Sequence, residues 1–403
     1  MKRKAYKFRL KPSKDQIDHL EKFAGCGRFV WNKVLRLSLD RLKNRQNLIW
    51  YNEASFWVTL WKKSEEYGFL AGCGSQVLQQ KLKDLDKAFK NAFDKKQPLK
   101  RIPKFRKKGI HDSIRFPQGF KVINRRIYLP KIGWIPFFKS QKIAGKIKNI
   151  TISRKGKHWD CAIQIEVAEE KPSYPIATSA IGIDLGISKF ASLSTGHYIN
   201  PVNSFRNMQQ LLAKAQRKLA KKRRFSNNWR KQKQEINDIH SRIANIRNDF
   251  LHKVSTKLSK NHALIVVEGL KISNMSKSAS GTIDSPGRKV KAKSGLNKSI
   301  LDQGWGKFKA MLKYKLEWNG GNLIEVDPKY TSQKCSKCQN VCKENRQTQA
   351  KFSCLNCGFE SNADINAAKN ILAAGHAVLA CGEKALAFSM KQEPLGMSNL
   401  VPA

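Results

Sequence analysis

The sequence predicts a multidomain chain, α+β in its first part and α/β in its second, and three observations carry that expectation. Helical periodicity fills residues 11–97 and 203–260, whereas short alternating runs fill 98–175. A continuous apolar run ending in Glu268 reads as a central strand covered on both faces. Two Cys-x-x-Cys pairs stand 15 residues apart, the spacing of a small metal-held module. With 403 residues and 40% apolar content, the chain has room for two or three such cores.

The start, "MKRKAYKFRLKPSKDQ", alternates charges with Tyr6, Phe8 and Leu10 and reads as an edge strand. It lacks the apolar region of a signal peptide, and nothing later is long enough to span a bilayer. A reducing cytoplasm is therefore expected, where cysteines serve metals more often than disulfides. Pro12-Ser13 opens a helical stretch with Ile17, Leu20, Phe23 and Ala24 at helical spacing. Leu78, Leu82, Leu85, Phe89 and Phe93 line a later helix with lysines opposite, so residues 11–97 read as a basic helical bundle. The connector "QPLKRIPKFRKKG" then leads into "SIRFP", "FKVIN", "RRIYLP", "KNITISRKG" and "HWDCAIQIEV", a small antiparallel sheet or barrel. The first strand is expected to join it, which makes residues 1–10 and 98–175 one domain interrupted by the bundle. The proline-punctuated "EEKPSYPIATS" places a boundary near residue 175.

In "SAIGIDLGISKFASLSTG", Ile181, Ile183, Leu185 and Ile187 face one side; Ala180, Gly182, Asp184 and Gly186 face the other. The small residues leave space beside Asp184 for a metal ion with a phosphate, and "STG" predicts a hairpin turn. Residues 203–260 form a long helical pair with 16 Lys and Arg against three acids, densest at "KLAKKRRF", which suits contact with phosphates. Residues 273–299 are rich in Ser, Gly and Lys and read as a mobile loop. In "SNADINAAKNIL", Asp364, Ala367, Ala368, Ile371 and Leu372 share a helical face whose alanines allow close approach to a sheet. The stretch 376–403 reads as a poorly ordered tail.

Lys and Arg number 78 against 30 Asp and Glu, a net charge of +48 that calls for a polyanionic partner. Nucleic acid is favoured over any neutral partner, and without an amphipathic anchor an acidic membrane is disfavoured. Taken singly, Asp184, Glu268 and Asp364 each have an ordinary structural reading: an exposed sheet position, a strand end and a first helical turn. Together, beside small residues in so basic a chain, they suit two divalent cations, magnesium or manganese, hydrolysing a phosphodiester. Cys335, Cys338, Cys354 and Cys357 suit one structural zinc with no open position. Cys342 could replace Cys338, but paired Cys-x-x-Cys turns favour Cys338. Cys26, Cys73, Cys161 and Cys381 read as ordinary buried thiols.

In this order, "GIDLGISKFASLS", "IVVEGLKISNM", "VDPKYTSQKCSKC", "FSCLNCGF" and "NADINAAKNIL" resemble the TnpB family over essentially the whole chain. These are transposon-encoded, RNA-guided DNA endonucleases related to the type V CRISPR nucleases. The resemblance implies an RNase H-like RuvC nuclease domain over 176–330 and 361–375, with catalytic acids at Asp184, Glu268 and Asp364. It implies a zinc ribbon over 331–360, inserted between the last two acids. For the first part it implies a wedge-type β-barrel with a helical recognition insert over 11–97. The implied partners are a guide RNA from the transposon end (ωRNA) and a double-stranded DNA target beside a short flanking motif, bound by a monomer. Two departures from many relatives are Ala363, where a basic residue is common, and Gly269, where a second acid is frequent. Two other readings stand beside it. One is a non-catalytic regulator of transposition, which would leave plasmid intact. The other is an RNA-independent transposase or resolvase, which would cut without a transcript.

Overall fold

The structure is a computed structural model that describes residues 2–109, 112–156, 158–167 and 179–390, without the side chains of Lys2, Lys155 and 381–390. Contacts divide the chain into two compact units, Met1–Glu170 and Lys171–Ala403. The linker expected around residue 175 lies outside the described residues. Among the described residues, no helix is long and apolar enough to cross a membrane.

The first unit runs β1 (Lys2–Arg9), α1 (Lys14–Lys43), α2 (Tyr51–Lys63), α3 (Ser75–Phe93), β2 (Ser113–Phe116), β3 (Lys121–Ile123), β4 (Arg126–Leu129), β5 (Gly133–Pro136), β6 (Lys146–Lys155) and β7 (His158–Val167). Its larger sheet is antiparallel in the order β1-β7-β6-β2, and β3-β4-β5 form a second. β1 pairs with β7 along its whole length, from Lys2 opposite Val167 to Arg9 opposite Asp160. The helices are thus interposed between the first and second strands. Alternation decides which side of β7 is buried: Trp159, Cys161, Ile163 and Ile165 enter the core, where Phe8 and Leu10 meet them. α1 starts where the sequence signals it, since Ser13 and Gln16 exchange side chain–backbone hydrogen bonds in a capping box. Such a cap contributes about 1 kcal/mol.

The second unit runs β8 (Ala180–Asp184), β9 (Ala191–Leu193), β10 (Tyr198–Ile199), α4 (Ser204–Ala220), α5 (Asn227–Asn261), β11 (Leu264–Glu268), α6 (Ile272–Met275), α7 (Val290–Gln303), α8 (Trp305–Asn319), β12 (Asn322–Val326), β13 (Lys351–Ser353), β14 (Glu360–Asn362) and α9 (Ala363–Met390). Its main sheet has the order β10-β9-β8-β11-β12. β8, β9 and β10 form an antiparallel meander turned at Thr195-Gly196, while β11 and β12 run parallel to β8. β11 is the central strand that its apolar run predicts, with Ile265, Val266 and Val267 fully buried. α5 serves two cores. Ile236, Ile239 and Ile243 pair it with α4, while Phe250 and Leu251 pack nearer the sheet, where Phe190 sits edge-on to Phe250 and Phe308 at 5.0 Å each.

Three expectations are corrected here. β8 ends at Asp184 and the chain bends through 185–190, so the alternation outlasts the strand. The loop expected over 273–299 is irregular over 276–289 but helical at its two ends, in α6 and again from Val290. α7 is seated by Ile300, 3% exposed, a single apolar anchor that the lysines before it conceal. The tail expected from residue 376 is helical as far as Met390, in keeping with an alanine-rich stretch of high helix propensity. Residues 391–403 lie outside the described residues.

α9 crosses β8 and β11 at backbone contact, and two glycines make this possible. A Cβ on Gly182 would overlap the Ala368 carbonyl oxygen and crowd the Leu372 nitrogen; one on Gly375 would overlap the Val266 side chain. The space beside Asp184 that small residues promised is therefore filled on the Gly182 side by a helix. Gly182→Ala should destabilise the protein by about 2–3 kcal/mol, because the obstructing atoms are backbone and cannot swing aside. Denaturant unfolding of the two proteins checks it; an unchanged midpoint would mean that α9 sits further out.

Candidate active site and cysteine cluster

Asp184 closes β8, and Glu268 closes its parallel neighbour β11. From there the chain leaves β8 toward β9 on one side and β11 toward β12 on the other. A crevice outside the carboxyl ends of such strands is where open sheets place their ligands. Asp364 is the second residue of α9, whose start is fixed by Asn362: its Oδ1 accepts from the backbone N–H of Asp364 at 3.0 Å. Ala367, Ala368 and Ile371 then seat the helix on the sheet, so its first turn lies at the same end as the two strand-borne acids.

The electrostatics record the meeting of the three. The Asp184 carboxyl is raised to about 7, first by burial, then by the charges of Glu268 and Asp364, against the opposing pull of Arg346. Glu268 is 9% exposed, and burial raises its carboxyl as well, opposed by a 2.6 Å hydrogen bond from the Thr331 hydroxyl and by Arg346. Arg346 lies with Nη2 3.3 Å from Asp364 Oδ1. Among the described residues, only the four cysteines form a metal-ready group with every ligand atom within 4.8 Å of the others; the three acids are less tightly gathered.

That cysteine group is Cys335, Cys338, Cys354 and Cys357. Cys335 and Cys357 have their sulfurs 3.7 Å apart, and Cys338 and Cys354 3.5 Å. Four thiolates about 2.3 Å from a tetrahedral zinc stand about 3.8 Å apart, whereas a disulfide would bring two sulfurs to about 2 Å. The donor set is thus compatible with a structural zinc. Within this set the backbone N–H of Asn340 favours the Cys338 thiolate, while the neighbouring sulfurs raise the Cys357 thiol, so without a metal the charge is shared unequally among the four. Cys342 is turned away and donates to Glu344 at 2.8 Å. Cys26, Cys73 and Cys161 are buried thiols; the side chain of Cys381 lies outside the described residues.

Sequence reasoning missed the residues that tie this module to the acids. Asn366 and Asn370, buried on α9, both donate to the Lys334 carbonyl, and Asn370 also to that of Thr331; Asn366 accepts from the Ser336 N–H. The first Cys-x-x-Cys turn is thereby bolted to the helix carrying Asp364. Thr331 and Arg346 lie in the same cysteine-bearing segment and touch Glu268 and Asp364. The only signal available for the asparagines was their four-residue spacing on one helical face; Arg346, in a polar loop, offered none. The departures also find a physical setting. Ala363 is fully buried beside Phe352 and Cys354, and a Cβ on Gly269 would press on the Val326 carbonyl.

Comparison with known proteins gives three family matches: a profile described as "Probable transposase" (OrfB_IS605) over residues 162–279, the "Cas12f1-like, TNB domain" over 305–371 and a "Helix-turn-helix domain" of the OrfB_IS605 set over 1–47. A protein of Escherichia coli (strain K12) named "Putative RNA-guided DNA endonuclease InsQ" is 49% identical over 98% of this chain and 99% of its own. A Streptomyces pristinaespiralis protein named "Putative RNA-guided DNA endonuclease" is 32% identical over 99% and 98%. Among solved structures, a Cas12f1–sgRNA–target DNA complex aligns loosely, with a TM-score of 0.34 and 16% identity over 92% of this chain and 99% of that one.

Proposed function

The chain belongs to the TnpB family, the OrfB group of IS605 transposases, and from that premise we propose that it is a transposon-encoded, RNA-guided DNA endonuclease. The observation that carries the reading is the gathering of Asp184, Glu268 and Asp364 at one end of a sheet, within a chain of net charge +48. The charge calls for nucleic acid, and the acids call for chemistry on its phosphates. A guide RNA from the transposon end pairs with one strand of a double-stranded target beside a short flanking motif. The heteroduplex is held through its backbone.

Asp184, Glu268 and Asp364 would hold two magnesium or manganese ions, for which carboxylate oxygens are the fitting donors. Bound there, the ions supply an activated water and stabilise the leaving oxygen of the phosphodiester. Asp184, which feels the charges of both other acids, would be the central donor of the set. Thr331 holds one Glu268 oxygen and so orients the other. Arg346 keeps a guanidinium at the acids and can turn its fork to the scissile phosphate. Cys335, Cys338, Cys354 and Cys357 hold one structural zinc. Its role is to fix the segment carrying Thr331 and Arg346.

The domain reading follows. Residues 1–10 and 98–175 form a wedge-type barrel, 11–97 its recognition insert, 176–330 and 361–375 the RuvC domain, and 331–360 the ribbon. The pairing of β1 with β7 supports the first, and the acids at the ends of β8 and β11 support the third. The protein works as a monomer on its RNA, in the cytoplasm with the DNA it cuts.

The test sequences the RNA that co-purifies with the protein and challenges a plasmid library of randomised flanks with that complex in magnesium. Cut plasmids should share one flank. Binding without cutting would support the regulator, and cutting after the RNA is stripped would support the resolvase. Within this reading, Arg346→Ala should slow cleavage by roughly 10²–10³-fold while guide and target binding hold. Its pH profile should also move upward, because Arg346 opposes the rise of the Asp184 carboxyl and, after the Thr331 hydrogen bond, that of Glu268.

A further inference from the structure

The turn between α4 and α5 carries a feature that phosphate contact leaves unused. Phe225 sits there with φ of 68°, the left-handed region that a bulky side chain avoids, and is 63% exposed. Its ring lies 5.5 Å from that of Trp229 at 56°, in the first turn of α5. Ser226 caps that turn by accepting from the backbone N–H of Trp229 at 3.1 Å, which fixes the helix start that carries the indole. The Arg224 guanidinium lies 5.1 Å from the Phe225 ring, and Lys233 Nζ 4.8 Å from that of Trp229. From Arg217 to Lys233 there are nine Lys and Arg and no acid.

A hydrophobic staple is the ordinary reason for an apolar residue just before a helix cap. A staple earns its place by burial, which a ring this exposed does not have. Backbone strain retained at an exposed aromatic therefore has no return within the fold. An aromatic pair ringed by cations is the arrangement that takes a nucleobase on its π-face while the cations meet the flanking phosphates. We infer that Phe225 and Trp229 form a stacking platform for an unpaired base of the guide RNA. Folded RNA offers loops and bulges whose bases are splayed and free to stack. The inference rests on the guided-endonuclease reading for the identity of the occupant.

The test measures the binding of full-length protein, freed of its RNA, to an oligoadenylate RNA of about twelve nucleotides and to an abasic oligomer of equal length and charge. Phe225→Ala should weaken binding to the oligoadenylate about tenfold and leave the abasic oligomer unchanged, the loss expected for one stacked base. Phe225→Trp should retain affinity. Phe225→Asn tolerates the left-handed backbone, so it should lose the same affinity while its Tm holds or rises. Arg223→Ala with Arg224→Ala should weaken both probes alike and flatten the salt dependence. Equal losses on both probes for Phe225→Ala, or none, would overturn the platform. A loss confined to DNA of the same sequence would overturn the guide as its occupant. Normal guided cleavage by the parent alongside either result would leave the endonuclease reading standing, whereas a parent that neither retains RNA nor cuts would remove that reading instead.

Discussion

Asp184→Asn should abolish cleavage, by on the order of 10³-fold or more, while leaving guide binding close to that of the parent. The substitution keeps the shape of the side chain and removes one charge at the point where two other acids converge. It should also make the protein more stable in chelator at pH 8, and the sign can be worked out. An unfolded aspartate titrates near about 3.9, whereas burial and the charges of Glu268 and Asp364 raise Asp184 to about 7 in the fold. The folded state therefore holds the proton more tightly. The stability this contributes is complete below the unfolded pKa and is lost as pH rises through 7. The parent weakens across that window more than the asparagine variant, which retains only the smaller loss from the buried Glu268 carboxyl. The two Tm values should be close near pH 4 and differ by a few degrees at pH 8, with the variant higher. Magnesium should reverse the order at pH 8, because only the parent gains from binding it. Loss of RNA binding in the variant, or a variant less stable than the parent at pH 8 in chelator, would mean that Asp184 serves the fold.

The same residues mark how much the sequence disclosed. The alternation around Asp184, the apolar run before Glu268 and the alanines after Asp364 each encode a local periodicity, and each gave the right type of element, though β8 ends before its alternation does and α9 outruns its expected end. Cysteine spacing selected the four sulfurs that meet. Contacts between elements far apart in the chain were another matter. That Gly182 admits a helix in place of a ligand depends on which element lands on that face, and no window around residue 182 contains the answer. Arg346 and Thr331 were invisible for the same reason: each acts across 18 or 63 residues of chain on an acid it does not resemble in pattern. Asp302 is a further case. Sitting at the end of α7, it accepts from the Ser204 hydroxyl, from the backbone N–H groups of Phe205 and Arg206 and from Arg247, doing for α4 what Asn203, in a left-handed conformation, does not. A helix start held from 98 residues away carries no local signature.

Stripping zinc, or replacing Cys354 with Ser, should cost more activity than removing any single residue outside the acids. The cysteine-bearing segment has almost no core of its own: Phe352, Phe359 and Ala363 pack with the cysteines and little else. On the proposed reading a module that small would keep its shape through a bound zinc, whose binding energy is in large part folding energy. Once it unfolds, Asn366 and Asn370 lose the carbonyls of Thr331 and Lys334, and the hydroxyl on Glu268 and the guanidinium on Asp364 depart together. Glu268 would then be a buried carboxylate without its hydrogen-bond donor, and cleavage should fall by on the order of 10³-fold, beyond the 10–100-fold typical of a lost supporting contact. The α1–α3 bundle and its sheet have a separate core and should stay folded. Zinc content and cleavage rate measured on the same samples decide the matter. The parent should carry one zinc per chain, with both values falling together as chelator is applied, and Cys342→Ser should leave both unchanged because its sulfur is turned to Glu344. A zinc-free protein that still cuts at the parent's rate would show that a metal at the four cysteines has no part in holding the acids' partners in place.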